Sequence, residues 1–404
     1  MANFFQFTGK IALGKDSDKF HPVQRNKYDS GWVRTRILFN CLSGTDRIMC
    51  TVDGGKWDKD EKNGAIKTFS KSVTNADGSV TKGEKIEIPW AKRFDADQIE
   101  RVAGFRKMVV DTGDIGMRYK LQDAITAFEN DEITDELIEE IGVDNIEDAK
   151  AALKKNETKK KEFLNSWDFA EYVVKLLQSG KYANNLFHVS GNYEVAYNPE
   201  KDKYYTSYAV NRITLAKEDS EPKTDFKIDF FFGEDAFDDA DYEETGKAHV
   251  NGFVQYYDNN VKANGFMPLV VTVKEEEKKK NALKRKFSAA EDDQIKMIGL
   301  TLTCVEGAER VELTEDMLSE EQREDLELGL VSWDELKKSL GSFVVGDKVS
   351  ELRFKELVAN KSSVQETAFT TEDMVPAKVK VEEIEDEYDD SVPFSLTDDD
   401  EDDL

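Results

Sequence analysis

The sequence has few of the residues that most catalytic and metal-binding motifs require. Its 404 residues include three histidines and three cysteines, and no two cysteines form a CxxC pair. No HExxH, Cys/His zinc spacing, Walker loop or GxSxG motif occurs, so no zinc centre, nucleotide loop or serine nucleophile is predicted. We therefore expect a protein that is not an enzyme and that uses no cofactor.

Long apolar stretches are also missing. No run approaches the roughly 18 residues that cross a membrane, and residues 1–5 lack the basic segment of a secretory signal. The scattered cysteines Cys41, Cys50 and Cys304 are typical of a reducing compartment. These absences predict a cytoplasmic protein without a membrane partner, in the host cytoplasm if the protein is viral.

Acidic residues are in large excess, and they are unevenly placed. The net charge is −28, and the last 23 residues hold 13 acidic and no basic residues, which leaves −15 for residues 1–381. Residues 1–120 hold 22 Lys and Arg against 16 Asp and Glu. A basic-leaning first part and an acidic tail predict a polyanion site early in the chain.

Alternating apolar residues predict that the first third is β-structure. In the stretch 32–39, Val33, Ile37 and Phe39 fall on one face, while Trp32 and the arginines at 34 and 36 fall on the other. A turn signal at 75–78 predicts a projecting lysine-rich hairpin. The strands expected in residues 1–217 are 5–13, 32–39, 47–52, 65–73, 80–88, 186–197 and 204–215.

Helical spacing replaces this alternation between residues 121 and 180. Helices are predicted over 121–130, 134–141, 146–153 and 166–178. Three strands, a helix and two strands is the connectivity of an OB-fold. The fold class expected is therefore mainly β with helical insertions (α+β), with an OB-fold-like barrel at 1–217.

A second, smaller OB-like β domain is predicted over residues 218–355. Its expected strands are 226–232, 249–257, 267–273 and 297–304, its helices are 315–329 and 333–340, and 275–286 is expected to be a charged spacer. From residue 356 onward periodicity is lost, so 356–404 is predicted to be a disordered acidic tail.

Aromatic and cationic side chains that share a surface are what single-stranded nucleic acid requires, since rings stack on bases and cations follow phosphates. The sequence offers such residues on the predicted strands, on the hairpin and in the segment 89–94. The predicted DNA-binding residues are Trp32, Arg34, Arg36, Trp57, Lys67, Lys71, Trp90, Lys92, Arg93, Tyr204, Tyr208 and Arg212. A solvated face, or rings that only fill the core, is the alternative reading of the same residues.

The tail embeds a short apolar anchor in its acidic run. The residues predicted to dock partners are Pro393, Phe394, Asp398, Asp399, Asp400, Glu401, Asp402, Asp403 and Leu404. This tail resembles those of bacterial and phage single-stranded DNA-binding proteins, although the bacterial pattern ends on Pro-Phe itself. The strand pair 189–195 and 204–213 is similar to the closing strands of phage OB-fold binding proteins.

The resemblance implies a non-sequence-specific single-stranded DNA-binding protein in phage replication or recombination. It also implies a tail that competes with DNA and docks replication or recombination proteins. Two alternatives remain open at this point: an acidic DNA mimic that inhibits a host DNA-binding protein, and a metal-dependent nuclease that uses the acidic cluster at 234–244.

Overall fold

The computed structural model describes residues 3–378 except 76, 289, 292, 313, 316, 317, 334 and 337–342. The chain is mostly β, with 44% of residues in strands and a few helices, which confirms the α+β class. No helix among the described residues is long and apolar enough to span a bilayer.

The strands and helices follow the chain in this order. Strands of the first half are β1 (Phe4–Leu13), β2 (Val23–Lys27), β3 (Trp32–Ser43), β4 (Asp46–Trp57), β5 (Ala65–Phe69), β6 (Val73–Thr74), β7 (Val80–Thr81), β8 (Lys85–Pro89), β9 (Met108–Asp111), β10 (Lys160–Phe163), β11 (Leu186–Asn198) and β12 (Lys203–Leu215). Those of the second half are β13 (Lys223–Phe232), β14 (Phe237–Asp238), β15 (Ala248–Asp258), β16 (Ala263–Val273), β17 (Gln294–Glu312), β18 (Phe343–Leu357) and β19 (Gln365–Thr370). The α-helices are α1 (Ala96–Arg101), α2 (Ile115–Glu129), α3 (Asp135–Ile141), α4 (Ile146–Glu157), α5 (Ser166–Gln178), α6 (Tyr242–Thr245), α7 (Glu277–Phe287) and α8 (Glu320–Glu327).

Five strands of the first half, called here the first strand set, are β1, β3, β4, β11 and β12. β3 pairs with β1 and β4, β11 pairs with β1 and β12, and all four pairs are antiparallel. β12 and β4 pair in parallel, so each strand of the set has two partners within it. The predicted alternation on β3 is confirmed, since Ile37, Phe39 and Cys41 are fully buried.

Helix α5 lies between the third and fourth strands of this set in sequence. Asn165 begins it by accepting a hydrogen bond from the backbone N–H of Asp168, as an N-cap does. Phe169, Ala170, Val173 and Val174, spaced as one helical face, are buried in the same core as β1, β3 and β4. Helices α2 to α4 instead form a small core of their own.

The second strand set, β13, β15, β16, β17 and β18, repeats this pairing order. β15 pairs with β13 and β16, and β17 pairs with β13 and β18, all antiparallel. β16 and β18 pair in parallel, as β4 and β12 do. Helix α7 again lies between the third and fourth strands and buries Leu283 and Phe287.

The two sets meet at β1. Its residues 4–8 pair with β13 on one edge, whereas its residues 10–13 pair with β3. Gly9 stands at the change of partner, where a Cβ would come within 2.3 Å of the Leu42 carbonyl oxygen. Only glycine allows the backbones to approach so closely.

Several predictions for the second half are wrong. The lysine-rich segment expected to be a spacer is helix α7, because Leu283 and Phe287 give it one apolar face among the charges. The tail does not begin at 356, since β18 runs to Leu357 and β19 pairs with β17. The helix expected at 315–329 is shorter, Glu320–Glu327, and part of 333–340 lies outside the described residues.

Candidate nucleic-acid interface

Two tryptophans stand opposite each other at the open end of the β3–β4 hairpin. Trp32 pairs with Trp57 in register, and their rings meet edge to face with centroids 5.3 Å apart. Gly55 permits this arrangement, because a Cβ there would lie 2.3 Å from the Trp32 ring. Both rings are half-buried, so each keeps part of its surface open to solvent.

Helix α5 places a third tryptophan beside the same end of β4, on the face of Gly54 and Lys56, opposite the face of Trp32 and Trp57. Gly54 lets the start of the helix approach, since a Cβ there would lie 2.2 Å from the carbonyl oxygen of Ser166. The Lys56 ammonium lies 5.7 Å from the Trp167 ring, and the Lys62 ammonium lies 5.1 Å from the Trp57 ring. These contacts define the tryptophan patch, which consists of Trp32, Trp57, Trp167, Lys56 and Lys62.

The two predicted arginines of β3 differ in their partners. Arg34 donates from Nε to Asp53 at 3.0 Å, and this hydrogen bond, opposed by partial burial, raises the pKa of Arg34 above its ordinary value. Arg36 is half-buried, and its Nε is buried without a hydrogen bond to any described residue. Arg34 is thus paired before any ligand binds, while Arg36 keeps an unused donor.

The predicted contact at Trp90 is wrong. Trp90 begins a 3-10 turn, and only 7% of it is exposed. Arg93 covers its ring at 4.2 Å and donates to the Trp90 carbonyl oxygen. Arg93 also donates from Nε to Asp168 at 2.7 Å, in an ion pair whose side chains are 15% and 13% exposed. The side chains of Trp90 and Arg93 therefore contact other residues of the protein and are mostly covered.

The ring available in this segment is Phe94, which is 59% exposed and lies 4.3 Å from the Arg93 guanidinium. Since Arg93 binds Asp168 beside Trp167, Phe94 and the tryptophan patch are joined through one ion pair. Lys92 is exposed. Phe94, instead of Trp90, is therefore the aromatic ring of this segment that is open to solvent.

The hairpin lysines project as predicted. Lys67 lies on β5 and is exposed, and its ammonium is 4.0 Å from Glu87. Lys71 follows β5 and lies 4.0 Å from Glu100. Such exposed pairs contribute about 0–1 kcal/mol each, so a phosphate can replace the carboxylate at little cost.

The tyrosines predicted on β12 belong to the core. Tyr208 packs edge to face on Phe5 and Phe7, and its hydroxyl lies 3.2 Å from the Cys304 sulfur. The Tyr204 hydroxyl donates to the backbone oxygen of Phe266 at 2.8 Å. Both rings are half-buried and already have partners across the two strand sets, and the DNA-contact role predicted for them stays a prediction. Arg212 is half-buried on β12.

Lys56, Lys62, Phe94 and Trp167 are the residues of this surface that the predicted set omits. Lys56 precedes Trp57 directly and Lys62 follows five residues later, so proximity in sequence could have identified both. Trp167 could not be identified in this way, because it stands among the apolar residues of an amphipathic helix and has the pattern of a core residue.

The acidic cluster of the nuclease alternative has cationic neighbours. Asp239 accepts hydrogen bonds from Lys280 at 3.3 Å and from Lys284 at 2.8 Å, and these lysines lower its pKa. Within the described part of the chain, no group of three or more His, Cys, Asp or Glu side chains could hold a metal ion. The predicted docking residues of the tail, 393–404, lie outside the described residues.

Comparisons with known proteins identify no family for this chain. No protein-family model matches the chain, and no curated protein matches it. Among solved structures, the chain is similar to a deletion mutant of the single-stranded DNA binding protein from Thermus aquaticus. The match covers 75% of this chain and 86% of that chain, with 8% identity and a TM-score of 0.26. A likeness this distant carries no argument, so function is argued from the residues of the site.

Proposed function

We propose that this chain is a non-enzymatic protein that binds single-stranded DNA without sequence specificity. The observation that carries the proposal is the tryptophan patch, in which Trp32 and Trp57 form an edge-to-face pair, Lys62 lies beside Trp57, and Lys56 lies beside Trp167. Rings of this kind stack on any base, and ammonium groups neutralise the phosphates between bases. Neither contact reads a base edge, so affinity without sequence preference is the expected result.

The proposed scaffold is a pair of OB-fold barrels, one in residues 1–217 and one beginning at 218. The support is the pairing order, since each strand set passes through five strands and returns to its first. A helix between the third and fourth strands and a parallel contact between the third and fifth accompany that order in both sets. OB-folds bind oligonucleotides on the face of their second and third strands, which are β3 and β4 here.

Phosphate neutralisation should make binding strongly dependent on salt. If about five lysines (Lys56, Lys62, Lys67, Lys71 and Lys92) each replace a counterion, affinity for oligo-dT should fall roughly 100-fold between 50 and 200 mM salt. Duplex DNA should bind far more weakly, because its bases are not free to stack. A fluorescence titration with both DNAs at two salt concentrations measures this, and equal affinities at every salt would refute the proposal.

The acidic tail is proposed to compete with DNA for this surface and to dock replication or recombination proteins in a phage setting. The support is the sequence alone, with 13 carboxylates after residue 381 and apolar anchors at Phe394 and Leu404. A tethered polyanion acts at a high effective concentration, in the millimolar range for a short flexible linker. Salt should weaken this competition, since the Debye length is about 8 Å at physiological ionic strength.

Deleting residues 382–404 is therefore expected to tighten binding of oligo-dT, with the largest gain at low salt. The double substitution Phe394→Ala and Leu404→Ala is the matched control, because it keeps every carboxylate. This control should bind DNA as the full chain does while losing protein partners. Truncated protein that binds no better at any salt and retains the same partners would reduce the tail to a solubility device.

A further inference from the structure

The second strand set carries a groove on the face that corresponds to the tryptophan patch. By pairing order, β15 and β16 match β3 and β4, and Phe253 and Pro268 are cross-strand neighbours there. They form the floor of a cavity of about 390 Å³ together with Leu269 and the half-exposed Val270. A pocket of this volume is at the lower end of the range that accommodates small ligands, about 300–1,000 Å³.

The charge of this groove is opposite to that of the tryptophan patch. Glu234, Asp235 and Asp293 line it, and none of the described Lys or Arg residues does. The surrounding segment is acidic as well, with 33 Asp and Glu against 19 Lys and Arg in residues 218–355. DNA is therefore repelled from this groove, and so is the chain's own acidic tail. An occupant must bring an apolar side chain and a positive charge.

The chain carries such a group on the segment 65–107, called here the hairpin lobe, which includes β5 to β8 and the turns that follow them. Phe105 is 77% exposed, and the Arg106 guanidinium lies 5.3 Å from its ring and 4.9 Å from the Phe69 ring. Arg106 has no ion-pair partner among the described residues. Hydrogen bonds from Ala103 to Phe69 and from Arg106 to Ala103 fix the turn that presents the ring. This corner is therefore preorganised, which lowers the entropic cost of binding.

We propose that the groove of one copy receives the corner formed by Phe105 and Arg106 of a second copy of this chain. The apolar floor takes the ring, and Glu234 and Asp235 face the guanidinium. The two surfaces are different patches of one molecule, so the contact is head-to-tail and leaves a free groove and a free corner at the ends. Copies bound side by side on one strand of DNA would then support one another, which goes beyond the proposed function of a single copy.

Sedimentation velocity of the full chain without DNA tests the contact separately from DNA binding. The wild-type sedimentation coefficient should rise with protein concentration at low salt and stay at the monomer value at high salt. Arg106→Glu and the pair Glu234→Lys with Asp235→Asn should each abolish the rise. Lys82→Glu, an equal charge change elsewhere on the same lobe, should leave it intact, and thermal melting should show that every variant is folded.

Mixing the corner variant with the groove variant tests whether the contact is head-to-tail. The corner variant still has an intact groove and the groove variant still has an intact corner, so an equal mixture should form dimers and nothing larger. A monomeric wild type at all concentrations, or variants that still associate, would overturn the proposal. Loss of association in the groove variant alone would overturn it too, by assigning the groove to a different basic partner. Binding of a short oligo-dT should be unchanged in the groove variant, so failure here leaves the DNA proposal standing.

Discussion

Trp32→Ala and Trp57→Ala are each expected to weaken oligo-dT binding by about 1–3 kcal/mol, which is roughly 5- to 150-fold. Each ring keeps part of its surface open and is held in place by the other, with centroids 5.3 Å apart. Because the two rings touch, the double variant should lose less than the sum of the single losses. Fluorescence titration at constant salt measures all three affinities, and indole quenching on binding should shrink as the rings are removed.

Tyr257→Ala is the matched control for this series. Tyr257 is an exposed ring on β15, the strand that corresponds to β3, but it stands on the acidic strand set. Its removal should leave the affinity for oligo-dT unchanged. If Trp32→Ala and Trp57→Ala also bind normally while Lys56→Ala and Lys62→Ala do not, the rings only pack against each other and binding rests on charge.

The first strand set can be predicted from the sequence because its local patterns are strong. Alternation along 32–39 assigns Trp32 and Arg34 to the outer face correctly, since Ile37 and Phe39 on the other face are buried in the core. The helices are also predicted well because polar caps precede them, as Asn145 and Asn165 do. Local pattern and tertiary packing agree in these segments, so the short-range signal is sufficient.

The rest depends on contacts that short-range patterns do not encode. The segment 89–94 has the pattern of a loop with two aromatics beside two cations, but the ion pair of Arg93 joins it to Asp168, 75 residues away in sequence. That pair decides that Trp90 is covered and Phe94 is open. In α7 the many lysines obscure, in the sequence, the apolar spacing of Leu283 and Phe287, which are buried in the core. The opposite charges of the two corresponding faces emerge only once the pairing order is known.

Arg93→Ala is expected to lower the free energy of unfolding by about 3–5 kcal/mol, the range for breaking a buried ion pair. The Asp168 carboxylate, 13% exposed, would keep the Asn165 side-chain amide as its hydrogen-bond donor among the described residues. Urea denaturation measures the loss, and Asp168→Asn should give a comparable one. Combining the two substitutions should cost less than their sum, because no uncompensated charge remains.

Lys92→Ala is the control for this prediction, since Lys92 is the exposed neighbour and should change stability by no more than about 0.5 kcal/mol. The DNA affinity of folded Arg93→Ala separates two roles. If Arg93 only positions its neighbours, its removal lets Phe94 and Trp167 move, so the affinity falls while the slope of the salt dependence stays the same. An arginine that binds a phosphate directly would instead reduce that slope by about 0.7 for the one phosphate it neutralises. Normal stability together with a reduced slope would return Arg93 to the set of direct DNA contacts.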